Sequence, residues 1–220
     1  MIAIRRARPA DAFAIGAVHV AAWRSAYPGI LPDTYLASLS VSRQAAYYDA
    51  AIRGATGVFV ATASGLDLPP APRPGANPTA APSPGADANA GANAGSGPGT
   101  GNGPRIIGFG TAGRARPSGD IGGHRLGEGE IETLYVLDDW RERGIGRRLM
   151  RSAAAHLAEN GCRSVFLWVL RDNPSRWFYQ RLGGKPAAEA AIQFAGREVI
   201  QTAFVWDPIE RLLAASPQES

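Results

Sequence analysis

Between Leu66 and Pro104 the chain reads LDLPPAPRPGANPTAAPSPGADANAGANAGSGPGTGNGP, a tract of Pro, Gly, Ala, Asn and Ser with no aromatic side chain and almost no charge. Such a stretch cannot bury enough apolar surface to offset the entropy of ordering it. It divides the chain into two pieces, and neither holds enough core material to be a domain alone. The flanks are strand-like on both sides, GVFVATA before and RIIGFGTAGR after. The expected organisation is one domain over residues 1–220, with 66–104 a disordered insertion grown between two neighbouring strands. A long surface loop is tolerated because closure entropy rises only logarithmically with its length.

The remainder alternates strands with helices. Period-two apolar runs predict strands at 2–7, 57–63, 105–115, 129–137, 163–170 and 197–206. Helical spacing and start signals predict helices from Pro9 to about Tyr27, from about Pro32 to Arg53, and at 144–160 and 174–182. In the first helix Ala14, Val18, Ala21 and Ala22 form the expected apolar face; in the third, Ile145, Leu149, Ala153 and Leu157 do. This is an α/β pattern: a mixed β-sheet with helices on both faces. With 45% hydrophobic residues in 220, the chain can build one sizeable core. No run approaches the roughly 18 apolar residues of a membrane span, and MIAIRRARPADAF has no apolar centre for a secretory signal. A cytoplasmic protein that does not engage membranes is expected. Cys162 stands alone, which excludes an internal disulfide framework. His19, His124 and His156 lie far apart with no ligand spacing, so no metal is expected.

A formal charge of +4 and a pI of about 9.6 suit an anionic ligand. Nucleic acid is a poor fit, because the basic residues are scattered Arg, with Lys185 the single Lys, and form no stripe. A sharper anion signal is WRERGIGRRLM at 140–150, which follows the apolar run IETLYVL and opens the third predicted helix. The first N–H groups of a helix lack internal partners, and the aligned peptide dipoles place partial positive charge there. Gly144 and Gly146 leave that backbone open to a bulky anion, and Arg141, Arg143 and Arg147 add formal charge. The turn lacks the G-x-x-x-x-G-K-[ST] of a P-loop and the third glycine of a dinucleotide fingerprint.

The segment GEIETLYVLDDWRERGIGRRLMRSAAAHLAENGCRSVFLWVLRDNPSRWFYQRLGGKP resembles the core of the GNAT superfamily of acetyl-CoA-dependent N-acyltransferases. The family pattern [QR]-x-x-G-x-[GA] falls on Arg141 to Gly146 and is followed in order by VFLWVL, Asn173 and FYQRLG, close to the family's FYEKLGF. VHVAAWRSAYPGILPDTYLASLS also resembles a bacterial GNAT subgroup. The resemblance implies a splayed sheet, opened by a bulge in the strand at 129–137, into which the pantetheine arm of acetyl-CoA inserts. Backbone groups of Tyr135, Val136 and Leu137 are then expected to meet pantetheine and the thioester carbonyl. The pyrophosphate is expected on the N–H groups of 143–147, which adds Ile145 to the cofactor residues, and Asn173 falls on a cofactor-contacting position. Asn173 also reads as an N-cap for PSRWFYQRL.

The implied reaction is attack of an amine on the thioester, which needs a proton acceptor for the amine and a proton donor for the leaving thiolate. Tyr179 matches the family tyrosine near the sulfur, although core packing would equally place a Tyr between Trp177, Phe178 and Leu182. Glu130 sits where histone acetyltransferases of the superfamily carry a glutamate base, and Glu132 is expected on the same strand face. Trp23 and Tyr27 are candidates for the acceptor pocket, or an amphipathic core edge. Gly183-Gly184 replaces the family's Gly-Phe, which is expected to weaken packing on the acceptor side. The acceptor is then a small-molecule amine or a protein or peptide amine, and a homodimer is compatible with it. An acyl-CoA-binding regulatory module with little or no catalysis is the alternative.

Overall fold

The computed structural model describes residues 1–64, 104–116 and 126–216. The insertion expected at 66–104 lies outside them apart from Pro104, as does His124. Seven strands form one sheet: β1 (Ile2–Arg6), β2 (Gly57–Ala63), β3 (Arg105–Arg114), β4 (Gly129–Val136), β5 (Val165–Leu170), β6 (Lys185–Phe194) and β7 (Arg197–Trp206), in spatial order β1-β2-β3-β4-β5-β7-β6. All neighbouring pairs are antiparallel except β4 and β5, joined through α4 (Ile145–Glu159). α1 (Ala12–Ala26), α2 (Asp33–Ser38) and α3 (Val41–Arg53) come between β1 and β2. α5 (Arg176–Arg181) precedes β6, and α6 (Glu210–Ala215) follows β7.

α1 and α3 cover one face of the sheet, where Ile15, Val18 and Tyr48 pack on Val58, Val60 and Phe109. α4 covers the other with Ile145, Leu149, Met150, Ala153, Ala154 and Leu157, all essentially inaccessible. Burying each of its large apolar side chains contributes roughly 1.5–3 kcal/mol. α6 adds Leu212 to this second core. Gly16 permits the close α1–α3 approach, since a Cβ there would stand 2.7 Å from the Val41 carbonyl oxygen.

Several expected boundaries shift. Pro9–Asp11 is a 3₁₀ turn, and α1 starts at Ala12. Its buried face runs through Ile15, Val18, His19 and Ala22, while Ala21 is exposed. The helix expected from Pro32 to Arg53 is two helices: Leu39 is extended, and Ser40 caps α3 by accepting a hydrogen bond from the Arg43 N–H. β6 and α6 are additional to the expected elements. β6 pairs along its length with β7 around Ala195 (φ 51°) and Gly196 (φ 77°), the left-handed pair that a two-residue hairpin turn requires.

Candidate active site

β4 and β5 touch over only two register positions, Gly129↔Val165 and Glu130↔Phe166. Beyond Glu130 they diverge, and the β5-facing edge of β4 from Ile131 to Val136 has no strand partner. The cause is visible in the pairing with β3: Thr111 faces Thr133 and Ala112 faces Ile131, which leaves Glu132 as an extra bulged residue. Ile131 and Leu134 thereby pack toward α4, while the hydroxyls of Thr111 and Thr133 meet at 2.8 Å on the other face, with Tyr135. The gap opens into a cleft of about 770 Å³.

One end of the cleft is the start of α4. Gly144 is its N-cap with φ 74°, and Glu142 is also left-handed at 61°. The N–H groups of the first helical turn have no intrahelical acceptor. Arg141, Gly144, Ile145, Gly146 and Arg147 line the cleft. Gly146 answers to packing as well as access, because a Cβ there would lie 3.3 Å from Cζ of Phe178. Arg141 pairs with Asp138 at 2.8 Å, and the Ser25 hydroxyl donates to the same carboxylate, tying the end of α1 to this turn. Arg143 is not part of the lining; its guanidinium stacks 5.1 Å from the buried Trp140 ring.

Tyr135 and Val136 line the cleft from β4. Leu137 does not, and its N–H is committed to the Ile107 carbonyl at 2.9 Å. Asn173 lines it too and is held at both ends of its amide: Nδ2 donates to the Tyr27 hydroxyl at 3.3 Å, and Oδ1 accepts from the Ser175 N–H at 2.9 Å. The local turn-stabilising role read from sequence is therefore present, with Ser175 rather than Asn173 as the N-cap of α5.

Tyr179 is a buried cleft residue, and burial, reinforced by Tyr27, holds its hydroxyl well above the ordinary phenol value. Glu132 reaches the cleft, bonds to Arg116 at 2.8 Å and accepts a long hydrogen bond from Thr111 at 3.5 Å. Glu130 stands behind it, outside the cleft lining, at the closed end of the fork. Burial and then the Glu132 charge push its carboxyl above the usual range. Trp23 and Tyr27 line the cleft together with Leu31, Ile192 and Phe194. Ile192, Phe194, Trp140, Phe178 and Arg181 are lining residues that the sequence reading missed; for the first two, the alternation AIQF before the Ala195-Gly196 turn was the available signal.

Elsewhere, His19 bonds through Nδ1 to the Tyr48 hydroxyl at 2.8 Å. His156 packs on Phe59, and Cys162 is buried ahead of β5. No helix among the described residues is long and apolar enough to cross a membrane.

Residues 87–184 match the model of the acetyltransferase (GNAT) family. Over 212 residues, 96% of this chain and 96% of the relative, the sequence is 27% identical to the uncharacterized N-acetyltransferase YuaI of Bacillus subtilis. The fold is similar to that of an N-acetyltransferase from Staphylococcus aureus, with a TM-score of 0.58 and 17% identity over 94% of this chain and 98% of that one. It is similar also to the PaiA N-acetyltransferase of Thermoplasma acidophilum, solved with coenzyme A, with a TM-score of 0.55 and 16% identity over 92% and 98%.

Proposed function

We propose that this chain, a member of the GNAT acetyltransferase family and an N-acetyltransferase, carries an acetyl group from acetyl-CoA to a primary amine by direct attack of the amine on the thioester. The observation that carries the reading is one continuous cleft. It joins the glycine-opened start of α4 to Tyr179 along the unpartnered edge of β4.

The residues present fit the donor. N–H groups at Ile145, Gly146 and Arg147, with the Arg141 and Arg147 guanidiniums, suit a pyrophosphate. The free β4 edge at Tyr135 and Val136 suits an extended amide-containing arm, which would add to the sheet as a further strand does. Bound there, acetyl-CoA supplies an activated acyl carbon and a thiol leaving group. The chain's own part is to place the amine, remove its proton and return one to sulfur, so that a C–N bond forms as the C–S bond breaks. Because Tyr179 stays protonated at neutral pH, its hydroxyl is a proton donor for the departing thiolate. Glu132, the bulged cleft residue at the fork, is the candidate acceptor of the amine's proton. Glu130 stands behind as a second carboxyl, raised above the usual carboxylate range by burial and then by the Glu132 charge.

Calorimetry and a free-thiol assay on three variants test this. Gly144→Asn keeps a side chain tolerant of left-handed backbone, whereas Gly144→Asp adds a negative charge of the same size. Acetyl-CoA affinity should fall at least tenfold further in the Asp variant than in the Asn variant; equal affinities would remove the phosphate site from this turn. Tyr179→Phe should bind acetyl-CoA as wild type does and turn over roughly 10²- to 10⁴-fold more slowly. Wild-type protein that binds acetyl-CoA but releases no thiol with any amine is a binding module instead.

A further inference from the structure

Part of the cleft wall is built from aromatic rings. Trp23 meets Tyr27 edge-on at 4.9 Å between ring centroids and Phe194 at 5.8 Å, and Tyr35 braces Phe194 at 5.1 Å. Leu31 and Ile192 fill the remaining wall. These residues come from α1, the segment after it, α2 and the β6–β7 hairpin, so the lobe forms only in the folded chain. Its charge balance is equally particular. Among all residues lining the cleft, the carboxylates are Glu132 and Glu142, against the guanidiniums of Arg141, Arg147 and Arg181. Glu142 lies in the turn before α4, and Glu132 is already paired with Arg116. None of the aromatic lobe's residues is acidic. The Trp23 indole N–H is buried beside Tyr135 and makes no well-aligned hydrogen bond with a described residue.

Resting on the acetyl-transfer reading above, we propose that the acceptor is a monoamine carried on a compact aromatic body, an arylalkylamine of one or two rings. Its ring lies against Trp23, Tyr27 and Phe194, and its single ammonium reaches the Glu132 end. Aromatic walls favour a flat apolar body through edge and offset ring contacts. Arg141 and Arg147 answer to the donor's phosphates, so beside the lobe the lining offers the single carboxylate of Glu132 for one ammonium and none for the further ammonium groups of a polycation. Size agrees, because the cleft must also hold the acyl-pantetheine arm, leaving the acceptor on the order of a few hundred Å³.

The test uses the full chain with acetyl-CoA and follows free thiol with 2-phenylethylamine, tryptamine, spermidine and kanamycin. Acetyl-CoA affinity is measured separately by calorimetry. The arylalkylamines should show kcat/KM at least tenfold above spermidine and kanamycin. Trp23→Ala should raise the KM for 2-phenylethylamine at least tenfold with acetyl-CoA affinity unchanged, and Trp23→Phe should recover most of it. Spermidine or kanamycin equalling the arylalkylamines overturns the assignment, as does an unchanged KM in Trp23→Ala. If no amine turns over, calorimetry of 2-phenylethylamine against the CoA-loaded protein decides: saturable binding lost in Trp23→Ala supports the lobe, and no binding overturns it. Failure to bind acetyl-CoA at all strikes the acetyl-transfer reading itself and is seen before any amine is added.

Discussion

His19 stacks on Trp23 at 5.0 Å, meets Tyr135 edge-on and bonds to the Tyr48 hydroxyl, so the ring is packed among aromatics and one nitrogen is engaged. Burial holds the ring neutral, its pKa pulled down to about 4 from 6.5. Between those values the unfolded chain binds a proton that the folded chain refuses, so this residue's contribution to stability is present above pH 6.5 and falls as pH drops toward 4. The loss is on the order of 2 kcal/mol. Glu130, with its raised carboxyl, acts in the opposite sense, but it is common to wild type and a His19 variant and cancels between them. His19→Gln should therefore be less stable than wild type at pH 7, and the difference should shrink by about that amount by pH 4.5 in urea unfolding. A gap independent of pH would show that His19 is not the titrating group. At this scale the sequence revealed which residue types were present and hid their environments. Nothing local to Glu130 and Glu132 says that one lines the cleft and the other stands behind it.

Elements carry more of their own determinants. The four-residue apolar spacing of α4 was readable; that Gly144 stands before it as a left-handed N-cap, rather than as its first residue, was not. The Gly183-Gly184 step was readable too, but its consequence was not. Weaker packing was expected where the family carries Phe; instead the Trp206 ring from β7 fills the space. It is fully buried, and its N–H donates to the Leu182 carbonyl at 2.8 Å. A Cβ at Gly184 would stand 2.6 Å from Cζ2 of that ring. Gly184→Ala should consequently destabilise by about 1–3 kcal/mol and lower the thermal midpoint by roughly 2–10 °C. Gly184→Phe, the apparent restoration, should do worse. A midpoint in Gly184→Phe at or above wild type would show that the two aromatics can coexist. β6 escaped the sequence reading for a related reason: KPAAEAAIQF is rich in residues with weak strand preference, and its strand state is set by pairing with β7.

For the whole molecule, β2 and β3 are antiparallel neighbours whose ends Ala63 and Arg105 are register partners. The chain between them joins two points already side by side, which fits an insertion within one domain rather than a linker between two. Replacing residues 65–103 with a Gly/Ser turn of about four residues should leave the thermal midpoint within roughly 2 °C and preserve acetyl-CoA affinity. A fall of many degrees would show that the segment supports the core. The sequence by itself determined the α/β alternation, the amphipathic α4 and the glycine-containing turn before it, because periodicity and turn chemistry act over a few residues. Only the tertiary structure decided where β4 leaves β5 and that the bulge at Glu132 brings Ile131 and Leu134 to one face. It also decided that Trp23 and Phe194, distant in sequence, share one wall. Those outcomes depend on register between segments far apart in the chain, and a one-residue shift in register reverses which side chains face the cleft.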